Sequence, residues 1–376
     1  MHKVLWVFYF TVAPFLYTQQ SFDSFALKQS FFLLVLAIQS IFFFYCSKSS
    51  SLFFRLKHFD YIVLFYFLLR LVSSFTYIPE LGLFPSLATL SFELFLFIFY
   101  LQLRILRLDY QTLDLSIKAL TYSSFIVFLL QAFSLLKPLH NTHRFDANFF
   151  HPNVLGITFC SILIYFHSKN ESNKVLYIFA ITLLLVSFSK TAYLIYCFYL
   201  LGGAIYNRSN SQKLFKMLLF ISFAYVFFTL NNQDPLSQFR NQLSQALSIK
   251  SQIFKATSQA IVDQPLGYGT GLFAYKIQRF LPDTFHHLFP NPNHHTLYKA
   301  HNFILEIGFE SGLLAFFLLI YAILYLISFE KSPVRSCLLT LVITSMFSIH
   351  LNYPESQIFF MFLLAALSSS KDYLYD

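Results

Sequence analysis

Charge is what this chain has least of. Only 11% of its 376 residues are Asp, Glu, Lys or Arg, against roughly 25% in ordinary soluble domains, which excludes a water-soluble globular domain. Cysteine is also scarce. The four, Cys46, Cys160, Cys197 and Cys337, lack the spacing of a metal site, and none falls in the polar part of the chain, so they read as core fillers. No small-residue cleavage site follows the apolar run at 4–18, which argues against a cleaved signal peptide, and the run reads as a first span. There is no clear internal repeat of the kind that builds many transporters.

What fills the chain instead is apolar: 57% hydrophobic residues, with 52 Phe and 24 Tyr. Runs of about 16 to 22 apolar residues recur, near the roughly 20 that a helix needs to cross a bilayer. Spans are expected near 4–18, 30–46, 59–75, 83–103, 115–136, 152–167, 175–189, 191–206, 214–230, 303–328, 336–350 and 357–370. The fold class is therefore an all-α polytopic membrane protein of about twelve transmembrane helices. The short pair at 175–206 reads either as two half-spans or as one long span. The chain divides into spans 1–9 over 1–230, a large polar loop with short helices over 231–302, and the last three spans over 303–376.

Basic residues alternate from loop to loop. Lys48, Arg55 and Lys57, then Arg104 and Arg107, Lys169 and Lys174, Arg208, Lys213 and Lys216, and Lys331 and Arg335 fall on one side. Positive residues collect in the cytoplasm, so both termini are expected inside and the long loop outside, bathed by lipid headgroups. The +9 formal charge is then topological rather than a nucleic-acid footprint, because it forms no single patch.

The polar chemistry gathers in 231–302 and its junction with the next span. At the junction stands Lys299-Ala300-His301-Asn302-Phe303-Ile304-Leu305-Glu306-Ile307-Gly308-Phe309-Glu310-Ser311-Gly312. A histidine at a membrane surface can carry protons near neutral pH, although Asn302 also suits a helix N-cap and His301 could simply cap or pack. Earlier comes Asp263-Gln264-Pro265-Leu266-Gly267-Tyr268-Gly269-Thr270-Gly271-Leu272-Phe273. Its glycines invite a phosphate-cradling reading, but the spacing is not G-x-G-x-x-G and no βαβ pattern surrounds it. A turn after a helix ended by Pro265 accounts for them equally. His286-His287 and His294-His295 lack the spacing and the carboxylates of a metal site, so none is expected. Arg144, before Pro152-Asn153, and Lys190, in Ser187-Phe188-Ser189-Lys190-Thr191, each read as a phosphate contact or as an ordinary surface or snorkelling charge. Arg70 and Glu93 fall inside predicted spans, where charges are costly and usually paired, and they read as one structural ion pair or as part of a proton or substrate pathway.

Taken together, the His301-Asn302 motif with Leu305, Glu310 and Gly312, the Lys250/Phe254 pair before D-x-P-x-G-x-G, the Arg144…Pro152-Asn153 opening and the Ser189-Lys190 hairpin resemble the O-antigen ligase and polymerase superfamily. The resemblance implies a metal-independent, cofactor-free membrane glycosyltransferase of the bacterial inner membrane, with its active site periplasmic. It implies an undecaprenyl-diphosphate-linked glycan as donor and lipid A-core, another glycan or the Ser or Thr of a protein as acceptor. It further implies His301 as the catalytic residue and Lys190, Lys250 and Arg144 on the diphosphate, with Asn302, Glu310, Gly267 and Gly269 in support. Lys190 and Lys250 stand where relatives commonly carry Arg; lysine keeps the charge but lacks the planar fork.

Overall fold

A computed structural model describes residues 2–16, 21–47, 58–76, 83–106, 108–136, 152–206, 235–281, 300–328, 331–346, 351 and 354–370. Arg144, the predicted span at 214–230 and the histidines at 286, 287, 294 and 295 lie outside them. The elements that the described residues form are all helices, without strands: α1 His2–Val12, α2 Ser21–Ser47, α3 His58–Thr76, α4 Leu83–Ile105, α5 Tyr110–Ala132, α6 Pro152–Lys169, α7 Lys174–Val186, α8 Lys190–Tyr206, α9 Pro235–Asp263, the short α10 Phe273–Lys276, α11 Phe303–Ser328, α12 Pro333–Ser345 and α13 Pro354–Ser370. Among them α5 and α11 are long and apolar enough to cross a bilayer on those grounds alone, and several others are shorter apolar helices. The pair at 175–206 is two helices, not one long span. At thirteen residues, α7 is only ~20 Å long, short of the ~30 Å hydrocarbon thickness.

Local chemistry sets the helix ends. Asp109, Asn173, Asn302 and Ser332 each accept a hydrogen bond from a backbone N–H two or three residues on, at 3.0–3.1 Å, closing the orphan donors of a first turn. Pro333 follows Ser332 at N1, where its missing N–H costs nothing. Hydroxyls inside the apolar helices return to the carbonyl one turn back: Thr121 to Ile117, Ser161 to Ile157 and Thr340 to Ser336. That local bond lets Ser and Thr sit buried without a distant partner.

One large core joins α1, α2, α4, α6 and α13, centred on Trp6, whose ring lies 4.5 Å from Phe99. A second, smaller core packs α9 and the following turn on the first half of α11 through Ile253, Ala260, Ile261, Phe273 and Phe309. The bundle has two distinguishable ends. At one end, buried Arg104 binds Asp60 at 2.8 Å, and Lys169 binds Asp114 in the neighbouring α5–α6 pair. Because α4 stops at Ile105 and α5 starts at Tyr110, this is a single end. α11 runs antiparallel to α3, since Glu310 meets Ser73 while Tyr325 stacks on Phe59. Residue 301 is therefore at the opposite end. So is residue 190: α7 and α8 flank α6, with Gly156 against Ser187 and Ser189 at that end and His167 against Tyr177 and Tyr199 at the other.

Candidate functional site

α11 is interrupted at Gly312, which has φ 85 and ψ 176, a backbone region open essentially only to glycine. The 264–272 turn plugs into that break. Leu313 N–H donates to Pro265 O at 2.8 Å rather than to the carbonyl four residues earlier. Phe309 O then accepts from Tyr268 N–H, and Glu310 O from Gly269 N–H, both at 2.8 Å. Gly267 (φ +87) makes the approach possible, since a Cβ there would sit 2.5 Å from Gly312 N. The amides at 268, 269 and 271 are thus already spent on α11, and the glycine-rich block is a splice between two chain segments rather than a phosphate cradle. Tyr268 stacks on Phe309 at 4.6 Å and seals the joint.

Glu310 is the hub of the splice. One carboxylate oxygen accepts from Gly271 N–H at 2.9 Å, and the other pairs with Arg70 at 2.7 Å. Its carbonyl also accepts from the Ser73 hydroxyl at 2.6 Å. Arg70 in turn holds Glu93 of α4, with Nε 3.0 Å from both carboxylate oxygens, and the Arg70 carbonyl accepts from the Thr270 hydroxyl. The charges at 70 and 93 that stood out in the sequence are thus joined as a pair, and Glu310 makes them a buried triad that ties α3, α4, the turn and α11 together. Removing one partner from such a network costs about 3–5 kcal/mol, because a charge is left uncompensated. A cavity of about 520 Å³ opens beside the triad, lined by Arg70, Glu93, Glu306 and Glu310 among aromatic side chains.

His301 stands just before α11, nine residues, or about two and a half turns, ahead of Glu310. Its φ of 53 is a left-handed conformation that side chains rarely adopt, and such strain gathers at functional positions. Two contacts fix it: Asn302 caps α11 through Leu305 N–H, and the Glu306 carboxylate accepts from Ala300 N–H at 3.1 Å. Burial, and then the charge of Lys250 reaching across from α9, hold the imidazole well below its usual range, down to about 4. Burial also lowers the pKa of the Lys250 ammonium. At neutral pH His301 is therefore an uncharged imidazole facing a cation: an available acceptor for a proton, and a place where an added anion would be welcome.

Lys190 belongs to a second cluster. It opens α8 after a turn in which Phe188 has φ 48. Ser187 donates its hydroxyl to Leu184 O at 2.6 Å and accepts from Ser189 N–H. Gly156, four residues after Pro152, gives this turn its seat, since a Cβ there would lie 2.4 Å from Ser187 Oγ. The Pro-Asn opening and the Ser-Lys hairpin are thus neighbours in space. His301 and Lys250 share one cluster, Glu310, Gly267 and Gly269 form the joint beneath it, and Lys190 lies at the same end of the bundle.

Sequence reasoning undervalued three positions. Glu306 was visible as a carboxylate four residues after a capping Asn, and Gly271 as the third glycine of its block. Ser73 carried no signal, because a serine in an apolar helix normally satisfies itself.

Residues 175–320 match the family model described as O-Antigen ligase. The match takes in Lys190, Lys250, the splice, His301 and Glu310, while Arg70 and Glu93 lie before it. No curated protein and no solved structure matches the chain.

Proposed function

We propose, starting from the chain's membership of the O-antigen ligase superfamily through residues 175–320, that this membrane protein moves a glycan from undecaprenyl diphosphate to lipid A-core at the periplasmic face of the inner membrane. The observation that carries the reading is the packing of α9 on the start of α11, where Ile249, Ile253 and Ala300 share one small core; the chain neighbours of those residues, Lys250 and His301, bring a cation's charge to bear on a neutral imidazole. In the proposed reaction the donor diphosphate lies against Lys250, with Lys190 and Arg144 as further contacts. The acceptor hydroxyl oxygen attacks the anomeric carbon, the bond from that carbon to the diphosphate oxygen breaks, and undecaprenyl diphosphate leaves. His301 takes the hydroxyl proton. Fixed positive charge stabilises the leaving group as its negative charge develops.

The depressed pKa of His301 fits this sequence of events. In the empty site the imidazole is neutral but a weak base. A bound diphosphate would offset Lys250 and favour the protonated imidazole, raising its basicity only when donor is present. Glu310 acts at one remove, by holding the splice and so the start of α11. The arrangement is read as twelve spans with both termini cytoplasmic and needs no metal. The single long polar segment, 231–302, favours the ligase over a polymerase.

The test is a surface-glycan gel from cells lacking the protein, with extracts probed for lipid-linked intermediates. Long polymers retained on undecaprenyl diphosphate, with bare lipid A-core, are expected. Cores carrying single repeat units would make it a polymerase instead. Normal patterns of both would end the lipopolysaccharide reading and bring protein glycosylation or transport forward.

A further inference from the structure

The cavity beside the Arg70 triad has a charge that does not suit a diphosphate. Three carboxylates, Glu93, Glu306 and Glu310, line it against one guanidinium, Arg70, and that guanidinium is already bound to two of the three. Lys28, one residue before the lining residue Gln29, faces a separate, smaller pocket instead. Carboxylates and the amides of Gln29 and Gln357 set among aromatic rings offer acceptors and donors for hydroxyls, with apolar surface for a ring face. The cavity also abuts the reacting end: Phe303, Glu306 and Ile307 line it from the first turns of α11, directly after His301.

We infer that this cavity is the acceptor-side site, taking a neutral, hydroxyl-rich sugar and repelling the donor's diphosphate, which is left to the Lys250 side. The inference rests on the proposed transfer reaction and gives it a direction: the two substrates reach His301 from compartments of opposite charge. Like charges held close in a partly desolvated space oppose entry strongly, so the cavity sorts the two by charge before either is positioned.

The sign of the cavity can be read without any enzymatic assay. Ser91 lines it and is exposed on its wall, so Ser91→Cys is modified in the full chain, in nanodiscs, with a trimethylammonium and with a sulfonate methanethiosulfonate. Each rate is normalised to the same reagent's rate with a small free thiol, and the unsubstituted protein gives the background from its own cysteines. The cationic reagent is expected to react about tenfold faster than the anionic one. Adding Glu306→Gln, which keeps an oxygen for Ala300 N–H, should shrink the preference, and adding Gln357→Glu should enlarge it. Maltotriose should slow modification, while geranyl diphosphate at the same concentration should not. An anionic preference, protection by geranyl diphosphate alone, or no protection by maltotriose up to its solubility would each overturn the assignment. If the knockout glycans are normal while charge preference and sugar protection both hold, the transfer reaction fails and the sugar site stands.

Discussion

Replacing Gly312 with alanine tests the splice at its tightest point. The residue sits at φ 85, ψ 176, where a side chain costs about 1–3 kcal/mol in backbone strain alone. The new Cβ would lie 2.6 Å from Pro265 O and 2.7 Å from Leu266 C, both backbone atoms that cannot swing aside, so the turn must retreat by the better part of an ångström. Pro265 O is also the acceptor for Leu313 N–H, and a buried donor left unsatisfied costs about 1–3 kcal/mol more. The sum is about 2–6 kcal/mol, expected to lower the melting temperature of the detergent-purified protein by on the order of 5 °C. The protease sensitivity of residues 264–272 should rise with it. Gly308→Ala is the control. Its Cβ would meet mainly the movable Ile261 Cδ1 and Phe316 ring at 3.0 and 3.1 Å, and helical Gly→Ala gains about 0.5–1 kcal/mol in return, so it should melt close to wild type. Equal melting of the two variants would refute the splice.

Three further outcomes follow from the same geometry. Lys250→Gln should raise the His301 pKa from about 4, though burial will keep it below the usual 6.5, as read by the pH dependence of diethylpyrocarbonate modification; an unchanged midpoint would break the pairing. Because the folded pKa is the lower one, the imidazole penalises folding as pH falls from about 6.5 to 4, by up to about 3 kcal/mol, and denaturant titrations should show that loss narrowed in Lys250→Gln. Arg70→Met should destabilise by about 3–5 kcal/mol, with part recovered when Glu93→Gln is added, and a single variant that melts like wild type would count against a buried triad. Gly156→Ala should push the Ser187–Ser189 turn off α6, given 2.4 Å from its Cβ to Ser187 Oγ. Reduced melting that Ser187→Gly partly restores is expected, and no restoration would move the contact elsewhere.

Helix placement was the most legible part of this chain, because long apolar runs bounded by Pro, Asn and charge leave few alternatives. Eleven of the twelve expected spans overlap described helices and the twelfth lies outside the described residues, although only α5 and α11 among them are long and apolar enough to cross a bilayer on those grounds alone; α7 and α8 separate where Ser187 to Ser189 suggested a break. That Arg70 and Glu93 would pair was also readable, since the membrane interior forbids lone charges. Their third partner was not. Glu310 follows Glu93 by more than two hundred residues, and one-dimensional periodicity holds no trace of which helices touch. The glycine block shows the other limit. Its composition fits a phosphate loop or a turn equally, and only the kink at Gly312 explains why the backbone must come so close. The pKa of His301 was likewise invisible, since it depends on burial and on Lys250 fifty-one positions earlier.

The central claim is that His301 takes the acceptor proton while other groups hold the donor. It is tested by comparing wild type with His301→Gln, purified and reconstituted, measuring single-turnover transfer from the lipid-linked donor to lipid A-core together with donor binding. The account predicts transfer reduced by about 10²–10⁴-fold with donor affinity changed by less than about threefold. Transfer by His301→Gln at the wild-type rate, or loss of donor binding in step with transfer, would contradict it.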